Sequence, residues 1–490
     1  MSFRFLRYCL WFLAYESACA QFNRPDTLSH TGLYYQAELS GWTAQRSQTP
    51  FWLRTNQFGA LPWASPGALF NGSIGGRWRT GNWTLKASVQ AVVQITRSPQ
   101  VVLPQAYVGL ERGPIELYVG RRREINGLTD TLLTSGSYAY SGNAVPITQI
   151  RLGTRDYAPL GFTKGWVAVN AFMSHGWFTD TDSMKNVWLH GKALFVRVGK
   201  QKWHLYGGVT HFVQWGGYSA YLEPGLTRNG HLPRNWTAFK NVLWPGSLEG
   251  NANDQLTGHD TLNRVGNQLG SIDLGLELNL RSFQLLFYHQ HAYEDMSGVA
   301  FQNFPDGIFG LRWKTTTPRK AFQLRQLTLE YITTLNRSGR GPKGYDDYFY
   351  NGQYLDGWVH ENYIIGTPLF TRTKDIPYAL RQKYSDLNRP RSVNNNALRA
   401  WHVGLEAQVL VPVQVLLTRT TYVDDPFRSD PHRFRQFSMS VALPVIPLGR
   451  GLSAGVKLAL DRGDLFSQNA GLLLSLRKVG GWERKRSLKQ

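Results

Sequence analysis

Three consecutive arginines and a glutamate form a compact charge cluster in the segment IELYVGRRREING, residues 115–127. A guanidinium group pairs well with carboxylate or phosphate oxygens, because its planar set of N–H donors matches their geometry. The run before the cluster alternates apolar and polar residues, and in a strand such residues point to opposite faces. The cluster therefore divides into two pairs: Arg121 with Arg123 on the apolar face, and Arg122 with Glu124 on the polar face.

A second candidate site is an aromatic and acidic segment, residues 346–358. Aromatic rings beside carboxylates suit sugar recognition, because the C–H face of a pyranose stacks on a ring and its hydroxyls need paired acceptors and donors. The sequence therefore predicts glycan contact here, and the alternative is that the rings only pack their own loop. The predicted glycan-binding residues of both sites are Arg122, Glu124, Asp346, Asp347, Tyr348, Tyr350, Tyr354 and Trp358.

The sequence carries no signature of catalysis. It has no His-Glu-x-x-His motif and no P-loop. His289 and His291, close to Glu294, could suggest a metal site. Both histidines share the parity of Phe287, however, so we expect them on an apolar face. The sequence predicts a non-enzymatic protein with no metal and no cofactor.

Alternation with a period of two is the clearest structural pattern in the chain. In WTLKASVQAVVQI (83–95) every second residue is apolar and nearly all the others are polar, and IDLGLELNL (272–280) repeats the pattern. A strand of this kind has one apolar and one polar face. These runs span about ten residues, the length that a tilted strand needs to cross a bilayer.

Short turns and long loops follow each other along the chain. Eight short turns, among them RTGN (79–82), VP (411–412) and PLGR (447–450), each join two strands, and longer connections separate these hairpins. With a last strand in NAGLLLSLRKV and an early strand before residue 71, the count is about 18 strands. This pattern is typical of an all-β, antiparallel transmembrane barrel of the outer membrane, with short periplasmic turns and long extracellular loops. The rival interpretation is a soluble β-sandwich or propeller.

The predicted barrel occupies residues 71–480, and residues 481–490 form a basic tail. Residues 21–70 contain the first strand. Either GLYYQAELSG or PFWLRTNQFG would form it, and the other would be a plug or periplasmic part. The long loops are predicted at 123–146, 215–267 and 337–397. Within the second of these loops, TAFKNVLW (237–244) is a candidate short helix.

The first twenty residues have the pattern of a secretory signal peptide. Arg4 and Arg7 precede a short apolar core, and a small-x-small site places cleavage near Ala20. The formal net charge is +21 at pH 7. A charge of this size indicates which partners the protein attracts and does not indicate its fold. Export argues against nucleic acid as the partner. The predicted partners are therefore an acidic polysaccharide and the phosphate groups of outer-membrane lipid and lipopolysaccharide.

In a barrel the apolar face of each strand meets lipid, so the two charge pairs face different surroundings. Arg121 and Arg123 are predicted at the membrane interface, within reach of headgroup phosphates. Arg122 and Glu124 line the inner mouth. There they form an internal ion-pair ladder or, in the case of Arg122, attract an acidic polymer. Trp215 is predicted as an aromatic residue of the membrane interface.

Several blocks of sequence carry a family resemblance. Together they resemble the capsule-assembly Wzi-like family, in its Bacteroidetes form. The resemblance implies a Gram-negative outer-membrane barrel that binds and anchors or organises capsular or exopolysaccharide at the cell surface, with polysaccharide export machinery as a further partner. The alternatives are a porin-like diffusion channel and an outer-membrane hydrolase or lipid-modifying enzyme. The blocks include LPQAYVGLERGPIELYVGRRREINGLTD (103–130), GKALFVRVGKQKWHLYGGVTHFVQWGG (191–217) and DDYFYNGQYLDGWVHENYIIGTPLF (346–370).

Overall fold

The structure is a computed structural model that describes residues 32–244, 264–318, 320–339, 346–383 and 392–483. The predicted signal peptide, residues 1–20, lies outside the described residues, as do residues 484–490 of the predicted basic tail. Among the helices of the described ranges, none is both long enough and apolar enough to cross a membrane.

Eighteen long strands form a single antiparallel sheet in the described part of the chain, which confirms the predicted number. The strands are β1 (Gly32–Ala44), β2 (Gly67–Thr80), β3 (Trp83–Ile95), β4 (Gln100–Arg112), β5 (Ile115–Arg121), β6 (Thr148–Thr154), β7 (Val167–Trp177), β8 (Trp188–Lys200), β9 (Trp203–Trp215), β10 (Asn267–Asn279), β11 (Phe283–Tyr293), β12 (Gly307–Thr315), β13 (Phe322–Thr333), β14 (Leu398–Val409), β15 (Val411–Val423), β16 (Arg433–Gly449), β17 (Leu452–Gly463) and β18 (Asn469–Glu483).

The sheet closes on itself. Strand β1 is hydrogen-bonded to β2 along one edge and to β18 along the other, so the wall has no free edge. A further two-residue strand, Ala158–Pro159, pairs with β7 and continues the wall after β6. The predicted antiparallel barrel is therefore confirmed.

The first strand is GLYYQAELSG rather than PFWLRTNQFG. The second segment instead contains the short helix α1 (Phe51–Arg54), in the connection between β1 and β2. Phe51 and Trp52 are neighbours in the chain and are both buried. A strand with one exposed face could not bury two successive side chains, whereas a turn of helix inside the barrel can.

The outer face of the barrel is apolar and the inner face is polar. On β3, Leu85 and Val89 are 42% and 49% exposed on the outside. Lys86 and Gln90 alternate with them, point inward and are buried. Such a band of exposed apolar side chains is unfavourable in water and matches the hydrocarbon of a bilayer.

Short turns lie at one end of the barrel and long connections at the other. Two residues separate β2 from β3, β4 from β5, and β8 from β9, whereas residues 216–266 and 334–397 are among the connections at the opposite end. One turn differs from the sequence prediction of VP at 411–412. The chain reverses at Leu410, whose φ of 64° is in the left-handed region, and Val411 already belongs to β15.

The long connections contain short elements, one of which is α2 (Trp236–Leu243), the helix predicted from TAFKNVLW. The side chain of Asn235 caps α2 by accepting from the backbone N–H of Ala238 at 2.9 Å. The other elements are α3 (Met296–Val299), α4 (Tyr378–Lys383), the 3₁₀ turns Gly161–Thr163 and Thr373–Asp375, and two hairpins, Val359–His360 with Tyr363–Ile364 and Thr371–Arg372 with Val393–Asn394.

Three connections fold into the outer half of the lumen, and we call their described residues the plug: 45–66, 122–147 and 334–397. Trp52, Tyr138 and Trp358, one from each connection, belong to a single buried hydrophobic cluster. Inward-facing residues of the wall, including Phe212 and Tyr422, belong to the same cluster. The barrel is therefore filled at this level by a packed core.

Hydrogen bonds tie the plug to widely separated parts of the wall. Gln94 of β3 donates to the carbonyl of Gly59 at 2.9 Å. Asp461 of β17 accepts from the backbone N–H of Phe51 at 2.8 Å, and Glu330 of β13 accepts from that of Ser135 at 2.7 Å. Because these anchors lie on well-separated strands, the plug is fixed across the lumen.

Candidate functional site

The alternation of β5 ends at Gly120 and Arg121. Gly120 has a φ of +124°, and a Cβ placed there would lie 2.1 Å from the carbonyl oxygen of Ala106. Only glycine fits this backbone position without strain. The chain leaves the sheet after Arg121, so the directions of the next side chains are set by tertiary contacts.

Arg122 and Glu124 form an ion-pair network inside the lumen. The guanidinium of Arg122 lies 2.7 Å from a carboxylate oxygen of Glu116 and 2.6 Å from one of Glu124. Arg151 also pairs with Glu124, and the Tyr118 hydroxyl donates to the same carboxylate at 2.9 Å. This arrangement is the internal ladder that the sequence predicted as one of two alternatives.

The charge of Glu124 is maintained despite its burial. Burial alone raises the pKa of this carboxyl, but the guanidinium groups of Arg151 and Arg122 outweigh that effect and hold its pKa below the ordinary value. The two carboxylates around Arg122 in turn satisfy its guanidinium. An acidic polymer would have to displace these partners before it could bind Arg122.

Arg121 lies at the outer rim but has protein partners. Its guanidinium pairs with Glu361 of the plug at 2.7 Å and donates to the hydroxyl of Thr148 at 2.9 Å. The sequence predicted headgroup phosphates as its partner. The loop carboxylate takes that place, because the long connection 334–397 reaches the end of β5.

The prediction that Arg123 lies at the membrane interface is wrong. Its guanidinium is inside the lumen, where it donates to Gln90 of β3 at 3.2 Å and lies 4.9 Å from the ring centroid of Phe58. The period of two no longer applies here, because the strand has already ended at Arg121. Burial lowers the pKa of Arg123 to about 10, so the group remains a cation at neutral pH.

Three aromatic residues predicted to contact glycan are part of the plug core. Trp358 and Tyr348 have no exposed surface, and Tyr354 is 2% exposed. The indole of Trp358 donates to the carbonyl of Ala139 at 2.6 Å, and the hydroxyl of Tyr348 donates to Asp306 at 2.8 Å. None of the three rings presents a face to solvent, so the packing alternative describes them.

The two predicted carboxylates of the same segment hold the plug together. Asp347 pairs with Arg337 at 2.6 Å, and Asp346 accepts from the hydroxyl of Ser338 at 2.7 Å. Burial raises the pKa of Asp346 above its ordinary value. These contacts occupy the carboxylates that the sequence assigned to sugar hydroxyls.

The accessible part of the segment is smaller than the sequence predicted. Tyr350 and Asp356 are half-buried, and Asp356 accepts from the hydroxyl of Thr181 in a neighbouring connection at 2.7 Å. Sequence reasoning missed Tyr221 and Tyr378, which are 72% and 66% exposed. Both tyrosines lie within predicted long loops, and that position could have identified them in the sequence as candidate ligand-binding residues.

Trp215 is on the outer face of β9, as its parity requires, but it is only 3% exposed. The tryptophan was predicted at the membrane interface. Helix α2 covers it instead, with the ring of Phe239 centred 5.3 Å from the Trp215 ring. A helix from the following connection therefore separates this tryptophan from the surroundings of the barrel.

The closed wall, apolar outer band and plugged outer half define the chain as an outer-membrane β-barrel with an occupied lumen. The model of the capsule assembly protein Wzi family matches residues 65–391, more than half of the chain. The protein therefore belongs to the capsule assembly protein Wzi family. Its assignment to the Bacteroidetes form stays a prediction.

Solved structures resemble this chain. One is Wzi of Escherichia coli, an outer membrane protein involved in group 1 capsule assembly and a carbohydrate-binding β-barrel; it is 14% identical over 94% of this chain and 86% of that chain, with a TM-score of 0.57. Pseudomonas aeruginosa OccK5 and Acinetobacter baumannii OccAB4 are 9% and 11% identical, cover 93% of this chain and 99% and 100% of their own, and have TM-scores of 0.44 and 0.43, too low to bear on function. No curated protein matches the sequence.

Proposed function

We propose that the protein binds an acidic capsular or exopolysaccharide and anchors or organises it at the cell surface, without catalysing a reaction. The filled outer half of the lumen carries this proposal. Packed and hydrogen-bonded loops close the mouth of the barrel. A polymer can bind to the surface of these loops, whereas a solute has no open path through them. Membership of the capsule assembly family supports the same function, as does the carbohydrate binding of the E. coli barrel.

We place the polymer contact on the solvent-facing part of the long connections. Tyr350 remains from the predicted glycan residues, and Asp356 of the same segment and the exposed rings of Tyr221 and Tyr378 add to it. Ring faces stack on the C–H face of a sugar, and the carboxylate accepts from hydroxyls. The formal charge of +21 favours an acidic polymer over a neutral one.

The remaining partners follow from the location. Outer-membrane lipid and lipopolysaccharide would surround the apolar band, and polysaccharide export machinery would deliver the polymer. The chain would reach the outer membrane after cleavage of its signal peptide near Ala20.

A deletion strain tests the proposed function. Cells without the protein should synthesise the polymer in normal amount but release it into the medium, and the wild-type gene supplied in trans should restore retention. The measurement is the ratio of cell-bound to released polysaccharide. Normal retention in the deletion strain would refute the proposal, and loss of synthesis would assign the protein to an earlier step.

A further inference from the structure

The outer ends of β7, β8 and β9 are covered by protein on the side that faces away from the lumen. Met173, Leu194 and Val209 mark this outer face, since all three are exposed. His175 shares the parity of Met173, and His211 shares that of Val209, so both point outward as well. His211 is nevertheless only 8% exposed, since its ring lies 3.1 Å from the side-chain oxygen of Gln268 of β10 and stacks with Tyr293 of β11.

Helix α2 provides this cover. Its buried face consists of Ala238 and Val242, one helical turn apart, which belong to one cluster with Trp215 of β9. The ring of Phe239 lies 6.0 Å from that of His190. Lys192, another outward-pointing residue of β8, donates from its ammonium group to the carbonyl of Leu243 at the end of the helix. The helix thus packs on the outside of the wall.

Two tryptophans and a lysine form an exposed stripe at α2. Trp236 and Lys240 are four residues apart and lie on one side of the helix, and Trp244 follows the last helical residue as its C-cap. Trp236 is 65% exposed and Trp244 is 84% exposed. The ammonium of Lys240 lies 5.8 Å from the ring centroid of Trp236. Exposed tryptophan beside lysine is typical of helices that lie in a membrane interface.

The height of the stripe agrees with this location. His211 is eight residues beyond Trp203, which begins β9 at the short-turn end. Eight residues correspond to about 27 Å along a strand, or about 21 Å along the membrane normal at a tilt of about 40°. The apolar band of such barrels is about 25 Å tall. Helix α2 therefore lies where the outer leaflet meets its headgroups.

A second segment continues the same feature around the barrel. Residues 296–304, which contain α3, fold over the outward-facing histidines of β11, and the ring of Phe301 stacks on that of His291 at 4.3 Å. Met296 and Phe304 of this segment are 51% and 53% exposed. Apolar side chains are thus exposed on the outside of the rim in both segments.

We propose that residues 236–244 and 296–304 form a membrane-docking collar that binds the headgroup layer of the outer leaflet. Trp236 and Trp244 insert their rings at the boundary between headgroups and acyl chains, and Lys240 contacts lipid phosphate. The collar also shields the outward-facing histidines and Lys192 from hydrocarbon. Lipid is the favoured occupant because the stripe is continuous with the apolar band and faces away from the mouth where the polymer would bind.

Site-directed spin labelling tests the collar. Cys9 and Cys19 are the only cysteines of the chain and both lie in the predicted signal peptide, so the cleaved protein gives a cysteine-free background for single labels at Lys240→Cys and Trp244→Cys. The protein is placed in vesicles of phosphatidylethanolamine and phosphatidylglycerol, and collision rates with oxygen and with a water-soluble nickel chelate are measured. Leu274→Cys in the apolar band and Tyr221→Cys in an exposed loop supply the lipid and water limits.

Labels at both collar positions should have oxygen-to-nickel ratios between those limits, well above that of Tyr221→Cys. Because the vesicles contain no polysaccharide and no other protein, this result would assign lipid as the occupant. Ratios equal to that of Tyr221→Cys would overturn the proposal. Ratios that rise only after purified polysaccharide is added would overturn it as well, in favour of a polymer contact. Neither result depends on whether the protein retains polymer in cells.

Discussion

At the scale of single residues, Arg122 is a charged side chain that the sequence offers as a ligand-binding group but that the structure pairs with two carboxylates. It lies between Glu116 and Glu124, with both carboxylates within hydrogen-bonding distance. A buried ion pair adds little net stability, but removing one partner leaves an uncompensated charge. We therefore assign Arg122 to the barrel interior rather than to polymer capture.

Replacement of Arg122 by Met separates these roles. We expect Arg122→Met to destabilise the barrel by about 3–5 kcal/mol, because two buried carboxylates lose their shared cation. Urea unfolding of the purified protein measures the change. The matched control is the variant that also carries Glu116→Gln, which should recover part of the loss. Unchanged stability with weaker polymer retention would instead support the polymer role.

Buried carboxyl groups beside the plug give it a pH dependence. Burial raises the pKa of Glu294, Asp306 and Asp346, so each binds its proton more tightly in the folded state than in the unfolded state. Their contribution to stability is therefore complete below the unfolded carboxyl pKa of about 4, and it is lost as pH rises through the raised folded values.

Hydrogen exchange within residues 346–358, corrected for the intrinsic rate, should accordingly be slower at about pH 4.5 than at about pH 8. Glu294→Gln should make the two rates more alike, because its amide does not titrate. Protection that increases with pH in the wild-type protein would contradict this assignment.

At the scale of elements, strands and loops differ in how far the sequence predicts them. The alternation in β3 and β10 follows from local backbone geometry, and counting the short turns led to the correct number of strands. The contacts of the aromatic segment depend on partners more than two hundred residues away in the chain, such as the bond from Trp358 to Ala139. No local pattern contains that information.

Trp358 joins two connections of the plug, because its indole in residues 334–397 donates to the carbonyl of Ala139 in residues 122–147. Trp358→Ala should cost about 3–5 kcal/mol, because it removes a fully buried ring and leaves the carbonyl of Ala139 without its donor. Limited proteolysis should then cut residues 122–147 and 334–397 faster than in the wild-type protein. Tyr378→Ala, at an exposed position, is the control and should leave the digestion unchanged. Equal protection in both variants would show that the plug does not depend on this contact.

At the scale of the whole molecule, the plug decides between an anchor and a channel. Because packed side chains fill the outer half of the lumen, we expect the purified barrel to give no large, steady single-channel currents in planar bilayers. The positive control is an open porin reconstituted in the same lipid. Steady currents of porin size would contradict the occupied lumen and revive the porin-like alternative.

The sequence by itself determined the class of the fold, the number of strands and the parity of side chains within the strands. These follow from the two-residue period of a strand and from the position of the short turns, both of which are local. Parity also placed Trp215 on the outer face, where the structure has it. It did not predict that helix α2 would cover that face.

Only the tertiary structure decided which polar and aromatic side chains remain free for a ligand. Arg123 turns into the lumen because its strand has ended, and Tyr348 and Trp358 are buried because three distant connections meet inside the barrel. Loop packing is set by contacts between segments far apart in the chain, and composition alone cannot distinguish a ring that packs from a ring that binds. The loops of the plug pack within the volume that the closed wall encloses, so their contacts depend on the whole barrel.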